Sequence, residues 1–198
     1  MHGLINRAVE SFARDNYGDA FWTSVTQSAG LGFSSFEAML PYTRDVTDRV
    51  LDTLADALNK PKDEVLEDLG TYLVASPNTD AIRRLLRFAG TDLEEFLNSL
   101  DELPARAKLA VPDLPMPHLE LKETDAQSFS LSVQATPETD GVFGHIMLGL
   151  LRAMADDYGA LVFLEHKYGA EAEELIEITL LEVAFAEARE FELGAKAG

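Results

Sequence analysis

Apolar residues recur at helical spacing through roughly the first 90 positions of the chain. One stripe begins at Leu4 and predicts a helix that ends near Tyr17. Further stripes predict helices around Trp22, over residues 47–58 and after Pro61, where a proline suits the first helical turn. A last short helix should end near residue 90. This part of the chain is therefore expected to form a helical lobe, with a loop or short helix at 33–42 and a break at 76–78.

The spacing changes after residue 117. A strand is expected to start near His118, and Phe129, Leu131 and Val133 then alternate with polar residues as in a half-buried strand. Helical spacing returns over residues 142–158, which predicts one long helix within the second half.

Two more strands are predicted after that helix, at residues 160–165 and 175–183. The second is a nearly continuous apolar run, which is typical of a strand in the middle of a sheet. The tail at 185–193 is expected to add an edge strand or to fray. Together the patterns predict an α+β fold in one two-lobed domain. We expect a helical lobe at about 1–90, a connecting helix and proline crossing at 91–117, and an antiparallel sheet lobe at 118–193.

Residues 91–119 connect the two patterns. Thr91 is a candidate helix cap with Glu94 three residues on, and the helix should be disturbed at Pro104, which has no amide hydrogen to donate. It can resume over 105–110. Prolines at 112, 115 and 117 then hold the chain extended. This stiff crossing is predicted to fix how the helical half sits on the sheet half.

Composition and charge limit the kinds of partner that the chain is expected to bind. The 198 residues carry 35 acidic against 16 basic side chains, a formal net charge of −19, which opposes binding to nucleic acid or to anionic membrane surfaces. No apolar run has the length of a membrane span, and no basic leader opens the chain. We therefore expect a cytoplasmic protein with no nucleic-acid or membrane partner.

Motifs for enzymatic or simple metal chemistry are missing. The chain has no cysteine, which excludes disulfides, thiolate-bound zinc, iron–sulfur clusters and thiolate-bound heme. It has no H-x-x-x-H or H-E-x-x-H pair, no D-x-D-x-D-G calcium loop, no G-x-S-x-G elbow and no phosphate-binding glycine loop. We do not expect an enzyme.

Several stretches nevertheless resemble one family. Residues 96–119 read F-L-N-S-L-D-E-L-P-A-R-A-K-L-A-V-P-D-L-P-M-P-H-L. This run resembles the proximal-helix segment of the heme nitric oxide/oxygen binding domain, whose members include bacterial gas sensors and the sensor domain of soluble guanylate cyclase. The opening M-H-G-L-I-N-R-A, the E-D-L-G at 67–70 and the G-L-L at 149–151 occur in the family's order.

The resemblance assigns a heme-binding role to particular positions and exposes two departures. Pro104 stands where the family has its iron-binding histidine, and proline cannot ligate iron. The family's Y-x-S-x-R motif, which holds the heme propionates, falls near residues 133–137, where the chain reads V-Q-A-T-P. The remaining heme-contacting positions that the resemblance implies are all apolar: Ile5, Val9, Leu73 and Ile146 on the distal side, and Phe96, Leu100 and Pro117 on the proximal side.

Four histidines are available to replace the lost ligand. His145 is the first candidate because it adjoins the distal position Ile146, although neighbours on a helix point about 100° apart. His118 beside Pro117 is the second. His2 and His166 are expected at the surface.

The function expected from the resemblance is a heme-based nitric oxide sensor with atypical iron ligation, which signals by movement between its lobes to a partner such as a histidine kinase or a cyclic-di-GMP enzyme. The alternative is a heme-free module of the same fold that binds a protein or a small apolar ligand.

Overall fold

The regular elements described up to residue 110 are helices, as the apolar spacing predicts, and residues 29–43 form a loop. The computed structural model describes residues 1–88, 90–137, 141–169 and 173–182. The first helices are α1 (Gly3–Tyr17), α2 (Asp19–Ser28), α3 (Arg44–Leu58), α4 (Lys62–Ala75), α5 (Asp80–Arg87), α6 (Leu93–Asn98) and α7 (Leu103–Ala110). Short 3₁₀ turns lie at Pro77–Thr79 and Leu100–Glu102. None of the helices in these ranges is long and apolar enough to cross a membrane.

A four-stranded antiparallel sheet with one long helix follows. The strands are β1 (His118–Asp125), β2 (Ser128–Gln134), β3 (Leu161–Tyr168) and β4 (Glu173–Glu182), and α8 (Phe143–Tyr158) lies between β2 and β3 in the chain. The strand order is β1-β2-β4-β3, so the apolar run of β4 is indeed central. The expected α+β class is confirmed. The tail strand predicted at 185–193 lies outside the described residues.

The cap before α6 differs by one residue from the sequence prediction. Asp92, and not Thr91, is the N-cap, and its carboxylate accepts a hydrogen bond from the amide of Glu95. The Glu95 carboxylate in turn accepts bonds from the amide and hydroxyl of Thr91, so Glu95 replaces Glu94 in the capping pair. The shift starts the helix at Leu93 and places Leu93, Phe96 and Leu97 in the core.

Pro104 interrupts this connecting segment as predicted. Helix α6 ends at Asn98, a 3₁₀ turn follows, and α7 starts at Leu103 with Pro104 in its first turn. A first-turn residue has no intrahelical partner for its amide hydrogen, so proline is tolerated there.

The largest contact between the helical half and the sheet half is that of α4 with α8. Gly70 and Gly149 allow the two backbones to touch. A Cβ atom on Gly70 would lie 2.1 Å from the carbonyl oxygen of Ile146, and one on Gly149 would lie 1.9 Å from that of Glu67. The Thr71 hydroxyl also donates to the carbonyl of Gly149 at 3.3 Å. This contact joins the two halves of the chain directly.

The C-terminal end of α8 is tied to α5 by a buried carboxylate. Asp157 is 1% exposed and pairs with the guanidinium of Arg83 and, at 3.5 Å, with that of Arg87. Arg87 also lies 4.0 Å above the ring of Tyr158. Helix α8 is therefore held along its length by α4 and at its end by α5.

A methyl group at Gly70 should separate α4 from α8. In an unobstructed helix, alanine in place of glycine stabilises by about 0.5–1 kcal/mol. Here the Gly70→Ala variant should instead lower the free energy of unfolding by about 1–3 kcal/mol, as overpacking does, because the obstructing atoms belong to the backbone of α8. Urea denaturation measures this change.

The matched control is Glu64→Ala, on the exposed face of the same helix. It should change the free energy of unfolding by no more than about 0.5 kcal/mol. A Gly70→Ala protein at least as stable as the parent would contradict the close approach of the two helices.

Candidate functional site

The distal positions assigned by the resemblance lie on three helices that pack together. Ile5 and Val9 belong to α1, Leu73 to α4 and Ile146 to α8. Val9 and Ile146 are buried, whereas Ile5 and Leu73 are partly buried and pack against the core. Helix α4 contacts both α1 and α8. These four side chains therefore contribute to a single apolar interior.

The proximal positions lie along the connecting segment. Phe96 and Leu100 are completely buried, and the ring of Phe96 packs against that of Tyr158 with 5.9 Å between centroids. Pro117 is buried immediately before β1, and Pro104 is half-buried at the start of α7. The heme-contacting role of these positions stays a prediction, since burial alone is equally typical of a core.

The stretch that replaces the propionate motif offers no cation. Val133 is fully buried in β2, opposite Leu119 of β1, and Gln134 ends the strand with an exposed side chain. None of residues 133–137 is an arginine or lysine. An arginine binds a carboxylate through two parallel hydrogen bonds, so its absence removes the strongest anchor for a propionate.

Two of the four histidines, His2 and His118, lie apart from the others. His2 is buried, contrary to the expectation of a surface residue. It is the N-cap of α1, and its Nδ1 accepts a hydrogen bond from the amide of Leu4 at 3.2 Å. His118 is exposed at the first position of β1.

The other two histidines meet in a cluster. His145, in the first turn of α8, stacks on His166 of β3 with 4.3 Å between ring centroids. Each side chain is only 9% exposed. The side chain of His166 is therefore largely buried, and the expectation of a surface residue was wrong. It lies on the face of the sheet that packs against α8, because alternate residues of β3 share that face.

Carboxylates surround both rings. The Nδ1 of His145 lies 3.4 Å from Oε1 of Glu67, and its Nε2 lies 3.6 Å from Oδ2 of Asp63; both acids belong to α4. The Nε2 of His166 lies 2.9 Å from Oε2 of Glu174. The hydroxyl of Tyr168, at the end of β3, also lies 3.4 Å from Nε2 of His145. Both ring nitrogens of His145 therefore face polar groups on α4 or on β3.

Glu174 is a charged residue in a core position. It begins the inward face of β4, which continues with Ile176, Ile178 and Leu180, and it is 3% exposed. Its carboxylate accepts a hydrogen bond from the amide of Gly144 at 3.3 Å, at the start of α8, where the N-cap residue Val142 provides no side-chain cap. A Cβ atom on Gly144 would lie 2.0 Å from this carboxylate, so only glycine leaves room for it.

No local sequence pattern predicts this cluster as a unit. His145, His166 and Glu174 are far apart along the chain and match no short metal or catalytic motif. One signal was present: Glu174 is the single acidic residue in an otherwise apolar alternation, at 174, 176, 178 and 180. A charge in that register needs a buried partner.

The structure also contains an open cleft of about 660 Å³ on the helical half, between α1 and α4. None of the predicted heme positions lines it. At its wall the Tyr72 hydroxyl donates to Asp15, which also accepts a bond from Asn78. The bond from Tyr72 lowers the pKa of Asp15, whereas burial and the bond to Asp15 raise the pKa of Tyr72 to about 12.

Removal of the Glu174 carboxylate should destabilise the protein. In the Glu174→Ala variant the amide of Gly144 and the ring of His166 both lose a buried acceptor, which should cost about 1–3 kcal/mol for each group left unsatisfied. Chemical denaturation in the presence of EDTA measures this loss. The control Glu165→Ala alters an exposed carboxylate of β3 and should have almost no effect.

The Asp15–Tyr72 bond should give a small, pH-dependent contribution to stability. Because folding lowers the pKa of Asp15, the contribution is present above its unfolded value of about 3.9 and is lost as the pH falls through the lower folded value. The stability difference between the parent and Asp15→Asn should therefore shrink between pH 7 and pH 3. A difference that stays constant over this range would show that ionisation of Asp15 does not contribute.

Comparison with known proteins agrees with the resemblance noted in the sequence. A sequence model of the Haem-NO-binding (HNOB) family matches residues 2–166. The soluble guanylate cyclase gcy-31 of Caenorhabditis elegans is 21% identical over 157 residues, which are 79% of this chain and 22% of the relative. Soluble guanylate cyclase gcy-32 of the same organism is 30% identical over 104 residues, 52% of this chain and 15% of the relative. The chain spans less than a quarter of either relative.

Solved structures share the fold. The H-NOX protein from S. oneidensis in its Fe(II)NO ligation state has a TM-score of 0.75 at 16% identity, covering 92% of this chain and all of that one. The Fe(II) unliganded H-NOX protein from K. algicida has a TM-score of 0.75 at 18% identity, covering 92% and 97%. Because the family model extends over most of its length, the chain belongs to the Haem-NO-binding, or H-NOX, family.

Proposed function

We propose that this chain is a regulatory H-NOX domain that acts on a signalling partner without a heme held through its iron. The observation that carries the proposal is Pro104, which lies in the first turn of α7 at the position where the resemblance places the iron ligand. Domains of this family are sensor domains and not enzymes. Regulation is therefore the class of function to which the proposal belongs.

The surroundings of the four histidines support the heme-free form. His2 caps α1 and His118 is exposed. His145 and His166 are stacked on each other and face carboxylates. A substitute iron ligand would have to leave one of these arrangements, and no arginine or lysine at 133–137 would help to hold the propionates. Ligand and anchors are thus missing together.

The packing of α8 supports a regulatory role. Contact with α4 through two glycines leaves no space for gradual adjustment, so a displacement of α8 moves the helical half as well. A ligand or partner that binds one arrangement of α8 better than another shifts the population toward it. The message would then be read as a change in how the two halves are placed.

The partner is proposed to be a signalling enzyme. H-NOX domains work with such enzymes, and the similar curated proteins are guanylate cyclases by name. A histidine kinase or a cyclic-di-GMP enzyme is proposed here on the basis of the family resemblance. The net charge of −19 favours a partner with a basic docking surface, since opposite charges speed association and select the partner.

A second candidate function retains heme and senses nitric oxide. It is favoured by the buried, wholly apolar character of Val9, Phe96, Leu100 and Ile146, which would suit a porphyrin. In this case His145, or alternatively His118, would supply the iron ligand.

A visible spectrum separates the two candidates. Protein purified from heme-supplied cells, and then mixed with hemin and passed through a desalting column, should show no Soret band, because iron has no ligand and the propionates have no anchor. The His145→Ala and His118→Ala variants should give the same colourless result.

The second candidate would be supported, and the first overturned, by a stoichiometric Soret band that shifts with nitric oxide. Loss of that band in one of the two histidine variants would identify the ligand. Circular dichroism of each variant confirms that the fold persists, so that a missing band reports on ligation alone.

A further inference from the structure

The cluster of His145, His166 and Glu174 has the composition of a metal site. Each of the three offers one ligand atom, and these atoms lie within 4.8 Å of one another. They come from three elements, since His145 lies in the first turn of α8, His166 lies in β3 and Glu174 is the second residue of β4. Two imidazoles and a carboxylate form a ligand set used for Zn²⁺ and for other divalent transition metals, with one position left open for water.

The distances suit a compact coordination sphere. Ligand atoms about 2.0–2.1 Å from a tetrahedral ion are separated by roughly 3.4 Å. Nε2 of His166 and Oε2 of Glu174 are already 2.9 Å apart. The ring of His145 now packs against that of His166. Rotation of the His145 ring would bring its nitrogen to the other two ligand atoms.

The surroundings of His145 match those of a metal-binding histidine. The N–H of the second ring nitrogen of such a residue usually donates a hydrogen bond to a carboxylate. This bond fixes the tautomer and directs the first nitrogen to the ion. Oε1 of Glu67 lies 3.4 Å from Nδ1 of His145, and Arg152 holds the other oxygen of Glu67 at 3.1 Å. Nε2 of His145 is thereby left for the ion.

Oxygen atoms are available for the open position. Nε2 of His145 lies 3.6 Å from Oδ2 of Asp63 and 3.4 Å from the hydroxyl of Tyr168. Asp63 is 56% exposed, so its side chain has room to turn toward the cluster or to hold a water molecule there. This exposed side also provides a route by which an ion would enter.

Charge at the cluster favours a cation. The carboxylates of Glu174, Glu67 and Asp63 surround the two rings, and Arg152 pairs with only one of them. Glu174 itself is almost completely buried, and a buried carboxylate needs a compensating positive group. A divalent ion would supply that charge and would bind both histidines in their neutral form.

We propose that His145, His166 and Glu174 bind one divalent transition-metal ion, for which Zn²⁺ is the probe, and that the ion clamps the start of α8 to the β3–β4 hairpin. The site does not depend on a regulatory role for the domain. It also occupies His145, which would then be unavailable to heme iron. The competing explanation is a hydrogen-bonded cluster with no affinity for metal.

The test titrates Zn²⁺ into the complete chain after treatment with EDTA and removal of the chelator. Isothermal titration calorimetry should show one ion per chain. The variants His166→Asn and Glu174→Gln should each weaken binding by at least about tenfold, which is the smallest effect expected even for the loss of an outer hydrogen bond to a metal ligand. Glutamine at 174 keeps the size of glutamate and one acceptor oxygen, so a purely structural hydrogen bond would survive that exchange. The matched control, His118→Asn, removes an exposed histidine from the same sheet and should bind Zn²⁺ as tightly as the parent.

A second measurement makes the test independent of how well the variants fold. Imidazole resonances of the parent protein, assigned by single substitutions to asparagine, should shift for His145 and His166 on addition of one equivalent of Zn²⁺. Those of His2 and His118 should stay unchanged. Absence of saturable binding, equal affinity in the His166→Asn and Glu174→Gln variants, or shifts confined to His2 and His118 would each overturn the proposal.

Discussion

The approach of α4 to α8 is the constraint on which the rest of the structure depends. At Gly70 and Gly149 the two backbones lie so close that neither position can hold a methyl group. Few side chains separate the helices there, so the acids of α4 reach the first turn of α8. This is why Glu67 and Asp63 lie beside His145, although more than seventy residues separate them in the chain.

The two ends of α8 carry this constraint outward. At its start, the Glu174 carboxylate accepts from the amide of Gly144 and contacts His166, which connects the helix to the sheet. At its end, Asp157 binds Arg83 of α5, which precedes the connecting segment with Pro104. Helix α8 thus contacts α4 and α6, which carry predicted heme positions, and β3 and β4, which contribute to the histidine cluster. A change at either place has a direct structural path to the other.

Local patterns predicted most of the fold, whereas the cluster depended on contacts that no local pattern contains. The stripe from Leu4 and the alternation at Phe129, Leu131 and Val133 each report which face of an element is buried, so α1 and β2 could be predicted. The exact cap of α6 could not, because Thr91 and Asp92 both have a capping side chain and a glutamate three residues later. Tertiary burial of Leu93 and Phe96 selects between them.

His166 and Glu174 illustrate the limit more clearly. Their contact follows from the pairing register of β3 with β4, in which Tyr168 lies opposite Glu174 and His166 opposite Ile176. A shift of one residue would turn Glu174 to the other face of the sheet and remove it from both His166 and Gly144. Register is set by the buried face of the whole sheet, so a single-sequence reading of the two residues leaves it open.

Pro104, at the position where the resemblance places the iron ligand, and the cluster around His145 together bear on where a signal would enter the domain. In a domain regulated through a proximal histidine, force reaches the protein at α7. Pro104 cannot transmit such a force, because its ring forms no bond to a metal. His145, by contrast, is placed where α8, α4 and the β3–β4 hairpin meet, and a change in the groups bound to its ring would act on all three at once. If this chain regulates a partner, the start of α8 is therefore a better place for the input than the start of α7.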